Sequence, residues 1–247
     1  MQSYLFHYFA SLKNSYKLFR HTLYISIVVQ IITGLIEFFT LFIKVRPNGI
    51  FLRQLLVIEV VVQVIEFIFY IWLFINLNNV SNITSKRYFD WILTTPTMLF
   101  TLVMYLIYKN NEDKKDREYK EELDLYQSFQ EHNENIFIIL FLNLVMLFFG
   151  YLGERESEGL SNKYANLTFG FIPFILYFWI IYDKYAKYTA FGIKLFYYFF
   201  IVWTFYGIVA YFPYYLRNSC YNILDLFAKN FFGLYLSYLI IQHSFLL

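Results

Sequence analysis

The sequence predicts an all-α membrane protein of seven transmembrane helices with its N-terminus outside, and three observations carry that prediction. Of its 247 residues 59% are hydrophobic and 15% charged, where a soluble domain of this size carries about 25% charge. The apolar residues gather into seven runs, each near the roughly 20 residues that cross a bilayer core as a helix. The connections between runs are mostly short and carry turn chemistry. The same numbers exclude other classes. A formal net charge of +2 without a Lys/Arg-rich tract gives no nucleic-acid partner. A single cysteine, Cys220, leaves no internal disulfide and no cysteine-based metal site. The first residues lack a basic start and a small-residue cleavage site, so no cleavable signal is expected.

The runs fall near residues 22–43, 52–77, 88–108, 136–153, 165–182, 188–212 and 220–244, within one domain, 1–247. Ahead of the first, Leu5, Phe9, Leu12, Tyr16 and Phe19 recur every three or four residues, which predicts a short amphipathic helix on the membrane surface over 1–20. The stretches VRPNG, NLNNVSNITS, GERESEGLSNK and PYYLRNS read as turns. Residues 109–135 are densely charged and read as a cytosolic connection that extends two helices into water. With the N-terminus outside, cytosolic connections hold ten basic residues and the outer side eight, in the direction of the positive-inside rule.

Charge inside the apolar runs carries the functional signal. The seventh run, ILDLFAKNFFGLYLSYLI, holds Asp225 and Lys229 one helical turn apart. Each charge near a bilayer centre costs on the order of 3 kcal/mol, which makes an intramembrane ion pair a functional hypothesis. Offset i,i+4 places both on one face, where the carboxylate neutralises a cation on the lysine. The third run, RYFDWILTTPTMLFTLVMYL, puts Arg87, Asp90, Thr94 and Thr101 on one face. There the arginine favours an ionised Asp90 as a proton acceptor; a helix end with Arg87 snorkelling to the interface is the plainer alternative. The second run aligns Glu59, Gln63, Glu66 and Tyr70 in a polar stripe, with Glu59 and Glu66 roughly 10 Å apart along the axis, a spacing that suits successive carboxylate constrictions. The first run aligns Ser26, Gln30 and Glu37, and the seventh adds Asn222 and Asn230. Hydrogen-bonded contacts between helices also account for each of these polar groups singly.

The third and seventh runs together resemble the microbial, or type I, rhodopsins, whose third helix carries R-Y-x-D-W-x-x-T-T-P and whose seventh carries D-x-x-x-K. The resemblance implies that Lys229 binds all-trans retinal as a Schiff base with Asp90 and Asp225 as counterions. It further implies that Trp91 and Trp203 sandwich the polyene, that Thr95 and Met98 line it, and that Tyr206 bonds to Asp225. The sixth run departs from the proton-pump pattern: Gly207 and Ala210 stand where pumps of the family have a proline and a second tryptophan, which puts the ring end of the pocket in question. Thr101 stands where such a pump places its carboxylic proton donor.

A closer likeness is to the channel-like rhodopsins of giant viruses, matched by Ser26, Glu59, Glu66, Asn222 and Asn230. It implies a light-gated cation channel rather than an enzyme, passing Na+, K+ or H+ past Arg87, Thr94, Ser26, Glu59, Gln63, Glu66, Asn222 and Asn230. A light-driven outward proton pump and a sensory photoreceptor are the alternatives. The expected setting is a host-cell or plasma membrane, with lipid as partner and homo-oligomerisation left open.

Overall fold

The computed structural model describes residues 2–79, 82–113, 123–155 and 160–244. Among them, seven helices are long and apolar enough to cross a membrane. They are α1 (Gln2–Thr40), α2 (Ile50–Ile75), α3 (Ile83–Glu112), α4 (Leu125–Glu154), α5 (Leu160–Ile181), α6 (Ala190–Val209) and α7 (Tyr214–Gln242). A π turn, Tyr182–Ala186, prolongs α5, and a second, Leu226–Asn230, lies within α7. Each helix packs on the next, and α7 returns against α1 and α2 to close the bundle.

Burial ranks the helices by their role. In its most apolar window α3 is 67% buried, against 28% for α4, so α3 runs through the interior and α4 along the periphery. Phe137, Phe141 and Phe148 of α4 point outward, as side chains bathed in hydrocarbon do. Among what α3 buries are six polar side chains, Thr84, Arg87, Asp90, Thr94, Thr95 and Thr101, beside a larger apolar set. Thr94 and Thr95 return their hydroxyls to the carbonyls of Asp90 and Trp91 at 3.0 and 2.9 Å, which satisfies them within the helix.

Helix starts follow capping chemistry. Asn82 adopts φ 49°, a left-handed conformation that Asn tolerates better than most residues. Its side chain accepts from the Ser85 N–H at 3.3 Å and donates to the Glu154 carbonyl at 2.8 Å, joining the start of α3 to the end of α4. Asp124 and Thr189 accept from the N–H groups of Gln127 and Gly192, each at 2.9 Å, the N-cap bond that typically contributes about 1 kcal/mol.

Two expectations about boundaries change. The N-terminal segment is helical, but it runs without a break into α1 rather than forming a separate surface helix. The stretch PYYLRNS is not a corner: Pro213 is extended (ψ 147°) and α7 starts at Tyr214. Arg217, Asn218 and Ser219 are consequently buried on the first turns of α7, where bonds to neighbouring carbonyls and side chains offset their polarity. The charged connection is helical up to Glu112 and again from Leu125, as expected; its residues 114–122 lie outside the described chain.

The close approach of α6 to the end of α5 is testable. A Cβ at Gly192 would lie 2.7 Å from the Ala186 carbonyl oxygen and 2.8 Å from Thr189 Oγ1, whereas one at Gly170 meets nothing nearer than 3.5 Å. Gly192→Ala therefore lowers the melting temperature in detergent through overpacking of about 1–3 kcal/mol. Gly170→Ala leaves it unchanged or raises it, since Ala is the better helix former by about 1 kcal/mol. Equal melting temperatures for the two variants would contradict this packing.

Candidate functional site

Lys229 sits in the π turn of α7 and is 1% exposed. Its Nζ donates to Asp90 Oδ2 on α3 at 2.7 Å, and Asp225 Oδ1 and Glu66 Oε1 of α2 each stand 3.9 Å away. Three carboxylates from three helices thus surround one nitrogen. The spacing Asp-x-x-x-Lys suggests that Asp225 is the nearest partner, but the backbone there is wound more widely than an α-helix. The cross-helix Asp90 comes closer.

Asp225 is held on its other side. Tyr206 Oη donates to its Oδ1 at 2.6 Å, Tyr70 Oη donates to its Oδ2 at 2.7 Å, and Arg87 Nη1 lies 3.2 Å from Oδ2. The sequence reading paired Arg87 with Asp90 along α3. Instead the guanidinium turns toward α7, where its Nε donates to Asn218 Oδ1 at 3.1 Å and its Nη2 to Asn222 Oδ1. The physical reason is satisfaction: a buried guanidinium has five N–H donors to place, and the first turns of α7 offer several acceptors. Asn222 continues the network to α1, donating to Thr22 Oγ1 at 3.0 Å and accepting from Ser26 Oγ at its carbonyl at 2.8 Å.

From Lys229 a cavity leads away between α3, α4, α5 and α6. Trp91 and Trp203 form parts of its wall, with Thr95, Met98 and Tyr206. Gly207 also lines it, and a Cβ there would collide with the ring of Phe171. The missing proline of α6 is therefore replaced by an aromatic ring packed on bare backbone. An apolar, aromatic-walled cavity with a lysine nitrogen at one end fits a long polyene aldehyde: the walls are hydrophobic, and the amine is where an imine would form. Thr95 is tied to α4 through Asn143 Oδ1 at 2.9 Å.

On the opposite side of Lys229 a chain of buried polar groups continues between α1, α2, α3 and α7. Gln30 Nε2 donates to Glu66 Oε1 at 3.1 Å; Asn230 Nδ2 donates to Thr33 Oγ1 at 2.8 Å. Gln63 accepts from Thr33 at 3.4 Å and donates to Glu37 Oε1, while Thr101 donates to Glu59 Oε1. Gln30 Oε1, Glu37 Oε2, Glu59 Oε2, Glu66 Oε2 and Asn230 Oδ1 are buried without a hydrogen-bond partner among the described residues.

The structure thus gathers Lys229, Asp90, Asp225, Glu66, Arg87, Tyr206, Asn222 and Ser26 into one contiguous network. It places Trp91, Thr95, Met98 and Trp203 on the cavity, and Gln63, Asn230 and Glu59 further along the seam. Thr94 turns its hydroxyl to the α3 backbone rather than to a carboxylate. Sequence reasoning missed Asn218, Thr22, Thr33 and Asn143. Asn218 was hidden in a supposed corner, whereas Asn143, a lone amide in an apolar run, was a signal open to reading.

No curated protein sequence matches the chain significantly. Among solved structures, the viral rhodopsin OLPVRII is 28% identical with a TM-score of 0.74, covering 91% of this chain and 98% of its own. Halorhodopsin from Halobacterium salinarum superposes with a TM-score of 0.72 at 16% identity over 94% of this chain and 97% of its own. Xanthorhodopsin, a light-driven ion pump with dual chromophore, superposes at 0.71 and 16% over 94% and 95%. At 16% identity the last two share the fold. The sequence model of the bacteriorhodopsin-like proteins matches residues 18–243, nearly the whole bundle, so the chain belongs to this family of multi-pass membrane proteins, the microbial rhodopsins, and its cofactor is retinal bound as a Schiff base.

Proposed function

We propose that this microbial rhodopsin is a light-gated cation channel, oriented with its N-terminus outside, whose pathway is the polar seam between α1, α2, α3 and α7. The observation that carries the reading is the run of buried polar side chains from Arg87 and Asn222, past Glu66 and Lys229, to Gln63, Glu37 and Glu59. A pump that moves one proton per cycle does not need so many oxygen-bearing groups on one seam, several of them with an oxygen unpartnered among the described residues.

Lys229 is the attachment point and Asp90 and Asp225 are the counterions. Retinal bound at Lys229 would supply light absorption and isomerisation, and Lys229 Nζ carries the proton that is given up. Asp90 Oδ2, 2.7 Å from Lys229 Nζ, accepts that proton. The loss of charge on the nitrogen then removes the attraction that holds Glu66 and Asp225 at 3.9 Å. Each such contact is of order 4 kcal/mol at an effective dielectric constant near 20, enough to shift a two-state equilibrium strongly. Asp225 stays in place because Arg87, Tyr70 and Tyr206 hold it. Among the described residues Glu66 keeps Gln30 as its neutral hydrogen-bond partner, so the response falls on the contact between α2 and α1. Separation there admits water to the seam, and cations follow their gradient from Arg87 and Asn222 past Glu66 to Glu59.

A light-driven outward proton pump is the second reading, favoured by one observation. Thr101 bonds to Glu59, which brings a carboxyl group to the position that lacks a donor of its own. The third reading is a sensory photoreceptor, which would show a slow photocycle with neither current nor pH change.

Whole-cell voltage clamp under illumination separates these readings. A channel gives photocurrents that reverse at a voltage moving with the cation gradient, and Glu66→Gln or Glu59→Gln reduces or reshapes them. A current outward at every voltage, with acidification of a cell suspension, would establish the pump instead. Independently, purified protein given all-trans retinal develops a visible absorption band, and Lys229→Ala abolishes it; a band that survives this substitution would remove Lys229 from its assigned role.

A further inference from the structure

The π turn that carries Lys229 redirects one backbone bond. In an unbroken α-helix the Phe231 N–H would donate to the carbonyl of Phe227, four residues back; here it reaches the Leu226 carbonyl instead. The Phe227 carbonyl is thereby released from its α-helical donor, inside the membrane-spanning part of α7. Phe227 and Phe231 are exposed on the outside of the bundle, where hydrocarbon offers no water to satisfy a backbone oxygen. Tyr198 of α6 supplies the donor: its Oη donates to the Phe227 carbonyl oxygen at 2.6 Å.

This bond is placed to act on the site. The accepting carbonyl stands two residues before Lys229, whose Nζ donates to Asp90 Oδ2 at 2.7 Å. Just beyond the turn, Phe199 of α6 packs edge-on against Phe232, with ring centroids 5.1 Å apart. Consecutive α6 residues thus grip the turn on both sides. Phe199 also packs on Trp203 at 5.3 Å, and Trp203 lines the cavity that ends at Lys229. A π turn is one widened turn within an α-helix. Without the Tyr198 hydroxyl, nothing favours the widening at this residue over the next, and a shift by one residue turns the Lys229 side chain away from Asp90.

We propose that Tyr198 is a positioning residue, whose hydroxyl fixes the widened turn at Leu226–Asn230 and so holds Lys229 Nζ against Asp90. Its meaning for the chromophore rests on Lys229 as the attachment point; it is independent of the channel reading.

The test compares two substitutions that each remove one phenolic oxygen and keep the ring. Tyr198→Phe deletes the bond to the turn, and Tyr105→Phe deletes the bond to Tyr235, 2.8 Å long, between α3 and α7. Hydrogen–deuterium exchange of the full-length, retinal-free protein is read by mass spectrometry on peptides covering 226–231. Exchange there rises about fivefold in Tyr198→Phe, the factor that one net hydrogen bond contributes, and is unchanged in Tyr105→Phe. After loading with retinal, Tyr198→Phe absorbs at longer wavelength, because a cation held less closely to its counter-charge spreads its charge along the polyene; Tyr105→Phe keeps the original band. Unchanged exchange at 226–231 in Tyr198→Phe overturns the proposal, as does a rise shared equally by the rest of α6 and α7. Raised exchange with an unmoved band also overturns it, because the turn would then not position Lys229. A band that survives Lys229→Ala removes the attachment reading, while the exchange comparison still decides whether Tyr198 fixes the turn.

Discussion

A lysine nitrogen buried among helices costs several kcal/mol in lost hydration unless carboxylates surround it, and the Lys229–Asp90 contact at 2.7 Å is the interaction that makes this bundle possible. Asp225 and Glu66 complete the ring at 3.9 Å. Because the four groups come from α2, α3 and α7, electrostatics pins three helices at one level. Their packing on α1 is reinforced by polar side chains that bond across that junction.

The ring divides the interior into two unlike compartments. Toward α4, α5 and α6 the walls are aromatic and apolar, with bare backbone at Gly207 admitting the Phe171 ring. Toward α1 and α2 the lining is hydroxyl, amide and carboxyl. One lysine thus faces an apolar, aromatic-walled cavity on one side and a polar seam on the other. A change of charge on its nitrogen is felt in both, which is how, on the channel reading proposed above, an optical event in one compartment alters the conductance of the other.

Much of this was legible in the sequence because membrane chemistry makes polar residues expensive. Lys229, Asp90, Asp225, Glu59 and Glu66 stood out against apolar runs, and their helical offsets placed them on interior faces that the structure does bury. Partner choice was less legible. The pairing of Arg87 with Asp225 instead of Asp90 depends on how far the side chain reaches across to α7, and the wider winding at Leu226–Asn230 has no mark in the residue pattern. The start of α7 was misplaced because PYYLRNS has turn-like composition, while the buried acceptors and donors that stabilise Arg217 and Asn218 there belong to other helices.

The account turns on whether the proton of Lys229 moves to Asp90 before the seam conducts. Time-resolved infrared difference spectroscopy, recorded beside photocurrents under matched illumination, measures this directly. The account predicts a carbonyl stretch of a protonated carboxyl that rises before the current, is absent in Asp90→Asn, and decays as the current closes. A current that develops while Asp90 remains ionised would contradict it.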